Sequence, residues 1–490
     1  MDKQEILNTM ASVSAIAENE EEGLEDFLPL RSYMALGDPN RFLVLGGRGS
    51  GKTRLFKTLL HDAGFAQIIG GQRQLFRPNI DNTRFLAGYN LADSRFPSPS
   101  VLGRYVDEQQ AVTFWSGSVV ILLAQFFREN EEVWGLVKEN FSEGFIENLW
   151  KDRLLGRPSR WMEEVAEKPE GVEGFLDDLD DYLNRTDQWF FLLYDSLDRI
   201  CVRYVDIFPY IRTLLAFWFA HLHRWKRIKC KIFLRSDLFD SDLLCFPDSS
   251  KLVSNCLKLE WNTLSLYRLF VKRLANAGNE EMDAYLRLTE NLVSPEPDGQ
   301  IGYVPTECEE VMKQFVNELI GPYMGSNNKK GASYSWAPNH LQDTHGVLSP
   351  RSFMKCYSVA AKKMLASPDK EKTQKNRILL PAMIQGAVQA VSVERVMELQ
   401  EEYPWLEQLK KALAGTTLLI PKNDFINKIR MDLWDAKAQE RLPATSPQGI
   451  FDVLQKLGIV YVAKDGRVNV PEIYLHGFGM KRKGGLRRPG

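Results

Sequence analysis

Residues 46–53 read Gly46-Gly47-Arg48-Gly49-Ser50-Gly51-Lys52-Thr53, a complete Gly-x-x-x-x-Gly-Lys-Thr loop. Glycines at this spacing let backbone N–H groups converge on phosphate oxygens, while the lysine reaches the β- and γ-phosphates and the threonine hydroxyl binds Mg²⁺. Two further carboxylates fit that chemistry. Asp195 closes the apolar run Trp189-Phe190-Phe191-Leu192-Leu193-Tyr194 and is placed to hold Mg²⁺ through water; Asp198, three residues on, is the candidate for polarising the attacking water or, alternatively, a helix cap. Arg235 ends the shorter run Lys231-Ile232-Phe233-Leu234. A guanidinium there could touch the γ-phosphate, or it could pair with Asp237 or Asp240. Arg351, after Ser349-Pro350, could reach the nucleotide from a second domain or be a surface arginine. The expected ligands are ATP and Mg²⁺.

These residues need elements that bring them together. The apolar run 42–45 before the loop and the helical stretch 54–60 after it give the strand–loop–helix context of a phosphate-binding loop. The continuous apolar run 189–194 is of the buried parallel-strand type, and with a helix over 204–225 and the strand 231–234 it predicts a parallel α/β sheet. Strands of such a sheet deliver their C-terminal ends to the ligand crevice. Between 112 and 165, Trp115, Leu122, Phe126, Phe127, Trp134, Leu136 and Phe145 are spaced for core packing on helices.

Beyond residue 258 the strand signals fade. Helices are expected over 264–277 and from Pro350 to about 365, with Ser349 as N-cap and Pro350 in the first turn. Punctuation at 293–302 and 325–340 reads as a loop-rich insert. Further helices over 379–400, 404–414, 422–439 and 450–457 precede 459–462 and 467–470, alternating segments around the turn Lys464-Asp465-Gly466, a hairpin signal. Helices followed by a hairpin form the winged-helix pattern. The fold class is therefore α/β: a P-loop NTPase core with a parallel sheet, then a helical domain and a C-terminal winged-helix domain. The expected boundaries are a helical leader at 1–35, the core at 36–259, a helical lid at 260–366, a winged-helix-like domain at 376–476 and a basic tail at 477–490.

Composition limits the alternatives. A chain of 490 residues exceeds one core. Its apolar content of 44% and charged content of 26% are ordinary for a soluble globular protein. A net charge of −2 carries no overall nucleic-acid signature. No apolar run reaches the length of a membrane span and the first residues lack a signal-peptide pattern, so a cytoplasmic protein is expected. The six cysteines form no Cys-x-x-Cys pair, as suits thiols in a reducing compartment. The tail cations Lys481, Arg482, Lys483, Arg487 and Arg488 could grip phosphates or an acidic partner, or stay solvated.

The loop GGRGSGKT, the segment FFLLYDSLDR at 190–199 and KIFLRSD at 231–237 resemble the ASCE division of P-loop ATPases, with STAND- and KAP-like bacterial ATPases nearest and origin-recognition-type AAA+ proteins more distant. The Asp195-x-x-Asp198 spacing is similar to STAND and KAP Walker-B motifs, in which the second acid is the catalytic one. By the same resemblance Arg235 takes the sensor-1 place and Arg351 a sensor-2 place. Ser196 stands where ordinary AAA+ proteins carry glutamate, which implies slow hydrolysis. The C-terminal region resembles ATPases of bacterial phage-defence loci. The resemblance implies an ATP-driven regulatory switch or oligomerising scaffold controlling a separate effector chain in antiviral defence. The alternative is a DNA-binding loader, origin-recognition or transposition-type ATPase that grips DNA through the wing and tail. A homo-oligomer is expected, with Arg199 and Arg273 as candidate fingers offered to a neighbouring subunit.

Overall fold

The computed structural model describes residues 2–13, 23–70, 78, 80–239, 252, 256–368, 377–435 and 442–482. It divides into two compact units, Pro29–Leu259 and Met1–Leu28 with Glu260–Gly490.

The first unit is built on five strands: β1 (Leu43–Gly46), β2 (Thr83–Tyr89), β3 (Trp189–Tyr194), β4 (Ile228–Arg235) and β5 (Leu257–Lys258). Their spatial order is β2-β3-β4-β1-β5, and every neighbouring pair is parallel. β1, β3 and β4 are buried along their whole length, which is why they read as unbroken apolar runs rather than alternating ones. β4 lies between β1 and β3, so it separates the strand before the loop from the strand that ends at Asp195. The register sets Gly46 opposite Arg235 and Tyr194 opposite Ile232, which brings both strand ends to one edge of the sheet.

β2 falls in a stretch that reads only as mixed in the sequence. Arg84 is exposed and Gly88 interrupts the apolar pattern, so the strand signal is weak. Gly88 has a packing reason: a Cβ there would lie 2.6 Å from the Tyr194 ring. The helix Glu108–Phe126 is buried along most of its length, and Ile207–His221 buries one face, including Tyr210, Leu214 and Trp218. Trp115 is fully buried, makes edge contacts with Tyr89, Tyr194 and Tyr210, and donates its indole N–H to Tyr210 O at 2.8 Å. Phe126, expected in the core, is instead 46% exposed and meets Phe190 only at its edge.

β4 is longer than the sequence predicts: it begins three residues before the expected Lys231, at Ile228, and runs through the buried Lys229. Lys229 Nζ donates to Leu222 O and Trp225 O, each at 2.7 Å, and Lys231 Nζ donates to Asp38 O at 2.7 Å and Arg41 O at 2.9 Å. Nearby, the buried Asp180 carboxylate accepts the N–H groups of Lys226, Arg227 and Ile228. Polar groups buried without partners would cost several kcal/mol each (roughly 2–7). Here they tie the turns entering β1 and β4 to the edge of the sheet remote from the loop.

The stretch 1–35 expected as a leader is divided: the part up to Leu28 belongs to the second unit and Pro29 onward to the first. The helix Lys3–Ser12 buries Ile6, Leu7 and Met10 in the same apolar core as Tyr267, Phe270 and Tyr357, and Ser358 Oγ donates to Ala11 O at 2.8 Å. The acidic run Glu18–Glu22 lies outside the described residues. The helix Thr263–Ala275 begins with an Asn262/Ser265 capping box, and Pro350–Leu365 begins with Ser349 accepting from Ser352 N. The insert at 325–340 contains a helix, Ser333–Leu341, despite Pro338 inside it.

Toward the C-terminus the helix Pro381–Glu402 is followed by Leu406–Leu413 and a short helix, Lys422–Asn427, where a longer one is expected. β6 is Thr417–Leu418, β7 Ile420–Pro421, β8 Tyr461–Val462, β9 Arg467–Asn469 and β10 Lys481–Arg482. β8 and β9 form the expected antiparallel hairpin after the helix Pro447–Lys456, and β7 adds to β9 as a third strand. The first part of the expected tail is built into the unit: Phe478 and Met480 are buried and β10 pairs with β6. Lys483, Arg487 and Arg488 lie outside the described residues. No described helix is long and apolar enough to cross a membrane.

Candidate functional site

The loop joins β1 to the helix Lys52–Leu60. Gly49 and Gly51 have φ of 74° and 97°, a region that a side chain enters only with strain, so glycine is required to wrap the chain back into the helix N-terminus. Gly46, Gly47, Arg48, Gly49, Ser50, Gly51, Lys52 and Thr53 thus occupy one continuous turn leading into a helix start, where unpaired N–H groups and the helix dipole favour an anion. Lys52 Nζ donates to Gly46 O at 2.8 Å and Gly47 O at 2.9 Å. Burial lowers the Lys52 ammonium from the usual lysine range to about 8; Asp195 pulls it up, Arg235 pushes it down, and Asp198 and Asp237 pull it up.

Asp195 follows β3 and is buried. Its N–H donates to Tyr89 O at 3.0 Å, so β2 fixes its height at the sheet edge. Burial raises its carboxyl above the ordinary aspartate range; a hydrogen bond from the Thr53 hydroxyl and one from the Ser196 N–H act in the opposite direction, as does Lys52. Ser196 has φ 61°, an uncommon conformation for a residue with a Cβ. It turns the chain sharply after Asp195 into the short helical turn Leu197–Arg199. Asp198 stands on that turn, and Arg235 Nη1 donates to its Oδ2 at 3.3 Å.

Arg235 is nearly buried, with 10% of its side chain exposed. Its Nε and Nη2 donate to the two oxygens of Asp237 at 3.1 and 2.7 Å. Of the pairings open in the sequence, that with Asp237 forms, and Arg235 also reaches Asp198. Asp240 lies outside the described residues. Lys52, Thr53, Asp195, Asp198 and Arg235 therefore meet at one edge of the sheet. The sequence signal for the first four is the motif spacing; the signal for Asp237 is only that it lies two residues past a strand-ending arginine.

Arg351 lies in the other unit, in the first turn of the helix Pro350–Leu365, with Glu398 Oε1 4.0 Å from its Nη1. Arg199 is exposed on the turn after Asp198. Arg273 is not offered as a finger: it pairs with Asp26 at 2.6 Å and only 12% of its side chain is exposed.

The donor set fits a magnesium nucleotide. Thr53, in the first turn of the helix after the loop, and Asp195, just past the end of β3, carry hard oxygen ligands of the kind Mg²⁺ takes. Thr53 and Asp195 would hold the Mg²⁺, which would supply charge neutralisation at the transferring phosphoryl group. The loop and the sheet together define a P-loop NTPase core.

No protein-family model matches the sequence, and no curated protein matches it. Among solved structures, the chain is similar to the Aeropyrum pernix ORC2 protein in its ADPNP–ADP complexes, at 11% identity and a TM-score of 0.33, over 90% of this chain and 89% of that one. It is also similar to Cdc6p from Pyrobaculum aerophilum, at 11% identity and a TM-score of 0.26, over 91% and 90% of the two chains. At these scores the likenesses carry no conclusion about the site, which is read from its own residues.

Proposed function

We propose that this chain is a Mg²⁺-dependent ATPase. The observation that carries the reading is the phosphate loop itself: Gly49 and Gly51 turn it at positive φ into the helix Lys52–Leu60, and the Lys52 ammonium rests on the loop carbonyls Gly46 O and Gly47 O. In this reading the loop N–H groups and Lys52 bind and orient the phosphates. Thr53 and Asp195 hold the metal, and Asp198 orients the attacking water and accepts its hydrogen bond. The water oxygen bonds to the γ-phosphorus as the bridge to the β-phosphate breaks, leaving ADP and phosphate. The test is steady-state ATP hydrolysis by the full chain and by Lys52→Ala. A variant that hydrolyses at the wild-type rate ends the proposal.

For the downstream role, we favour a DNA-binding AAA+-type ATPase. Its support is the C-terminal arrangement, in which the helices Lys422–Asn427 and Pro447–Lys456 accompany the sheet β7-β9-β8, consistent with a winged helix. The hairpin adds little charge of its own, since Arg467 pairs with Asp465 and leaves Lys464 as its cation. The reading predicts duplex DNA binding that weakens with salt and with removal of residues 483–490. Absence of retardation at low salt would count against it. ATP-dependent assembly is tested by mass measurement with and without ATP. Control of a separate effector in antiviral defence gains no support from the site, the fold or the comparisons.

A further inference from the structure

Between the helices Glu143–Leu149 and Met162–Glu167 of the first unit, residues 151–160 carry four cations, Lys151, Arg153, Arg157 and Arg160, against one acid, Asp152. In a chain of net charge −2 this is a local excess of positive charge. All five side chains are exposed. Other exposed arginines of this unit have found carboxylates: Arg185 pairs with Glu132, Arg203 with Asp206, and Arg224 with Asp177 and Glu173. Among the described residues, Arg153, Arg157 and Arg160 make no ion pair and no side-chain hydrogen bond. Lys151 Nζ donates to the neutral Asn148 Oδ1 at 2.7 Å and keeps its charge uncompensated. The segment is nonetheless held in shape. Leu154, Leu155 and Pro158 are buried and anchor it. Arg157 N–H donates to Leu154 O and Arg160 N–H to Arg157 O, each at 2.9 Å. Gln125 Nε2 donates to Leu149 O at 2.9 Å and to Lys151 O at 3.4 Å. Trp150, which opens the segment, is 52% exposed and meets Trp134 edge-on with ring centroids 5.0 Å apart.

We propose that residues 150–160 form a binding surface for single-stranded nucleic acid, in which the three arginines and Lys151 take backbone phosphates and Trp150 stacks on a base. This goes beyond the ATPase reading and does not depend on it. A guanidinium offers a fork of N–H groups that matches phosphate oxygens, and it is more weakly hydrated than an ammonium. Here no internal carboxylate occupies the forks, so a phosphate binds without first breaking an ion pair. The hydrogen-bonded turns order the backbone before a ligand arrives, which lowers the entropy cost of binding. Asp152 subtracts from the patch but leaves the cations in excess. The exposed indole decides the class of partner. A duplex keeps its base faces stacked inside, and an acidic protein surface offers carboxylates without a row of π-faces. A single strand offers both phosphates and unstacked bases, which an aromatic ring takes with little regard to sequence.

The experiment follows the fluorescence anisotropy of a labelled oligothymidylate of about 20 nucleotides, titrated with the full chain over a range of salt concentrations. In the triple variant Arg153→Gln, Arg157→Gln, Arg160→Gln, binding is expected to weaken about ten-fold or more. The slope of log affinity against log salt should fall by about 2, since each of three lost phosphate contacts contributes about 0.7 on a single strand. The same three positions changed to lysine keep their charges and should keep the wild-type slope. Trp150→Ala should weaken binding about ten-fold with the slope unchanged, and Trp150→Phe should retain most of the affinity. The arginines are exposed and make no internal contacts, so denaturation midpoints of the triple variants should match wild type; the lysine and Trp150→Phe variants keep the test open where another loses its fold. The proposal is overturned if wild type does not bind the oligonucleotide at low salt, or if the triple glutamine variant keeps both affinity and slope. It is overturned in favour of a phosphate-only surface if Trp150→Ala binds as wild type does. A duplex of the same length that displaces the oligonucleotide as well as an unlabelled single strand would reassign the surface to duplex, and polyglutamate that does so would reassign it to an acidic protein.

Discussion

Raising the pH from 7 to 9 should weaken nucleotide binding through a single group, Lys52. Its ammonium is lowered to about 8 chiefly by burial, with Asp195 opposing. The amine is then charged in about ten molecules of eleven at pH 7, half at pH 8 and about one in eleven at pH 9. Bound phosphates favour the charged form, so a ligand that needs the ammonium loses affinity as the free protein loses that proton. The expected loss between pH 7 and 9 is about ten-fold in Kd, or about 1.4 kcal/mol. At pH 8, each binding event should draw in about half a proton from the buffer. Isothermal titration of Mg-ADP in two buffers of different ionisation enthalpy measures that proton directly. Lys52→Arg, which stays charged throughout this range, should show neither the proton uptake nor the loss of affinity. A wild-type Kd that stays constant from pH 7 to 9, with no proton uptake at pH 8, would refute the placement of Lys52 as a buried, phosphate-seeking ammonium.

Other outcomes follow from the same geometry. Gly88→Ala sets a methyl group 2.6 Å from the Tyr194 ring and should destabilise the first unit by about 1–3 kcal/mol, read by chemical denaturation. Asp195→Asn should retain nucleotide binding without Mg²⁺ but lower hydrolysis by about 100-fold, because the metal loses its anchor. The same variant should raise the ligand-free denaturation midpoint at neutral pH: the folded carboxyl lies above its unfolded value, so ionisation favours the unfolded chain. Lys231, fully buried, is lowered to about 7 against 10.5 in the unfolded chain. Between those values the unfolded chain binds the proton that the folded one has released, so stability rises with pH by up to about 1.4 kcal/mol per pH unit. Lys231→Met should remove that rise from denaturation curves taken at pH 7 to 10.

The phosphate loop, Asp195 and the strands β1 and β3 were legible because each rests on local rules. Glycine spacing governs the loop, and an unbroken apolar run marks a strand covered on both faces. β2 was not legible. Its burial comes from packing Gly88 on Tyr194, a contact made across more than 100 residues, and Arg84 on its exposed part masks the pattern. β4 was read as half its length for a similar reason. Lys229 looks like a surface residue until the carbonyls of residues 222 and 225 close around it. The long helix expected over 422–439 is the reverse case, where local propensity extends beyond the six-residue helix that packing uses.

By itself, then, the sequence determined the glycine loop and the residue types on it, and that a parallel sheet carries them. Those properties depend on neighbours within a few positions along the chain. Tertiary structure alone decided the strand order that sets β4 between β1 and β3, the docking of the first helix into the second unit, and the pairing of Arg235 with both Asp198 and Asp237. These depend on register and on which buried charges meet. A chain cannot specify such contacts locally, because their partners lie tens to hundreds of residues apart and only close packing selects among them.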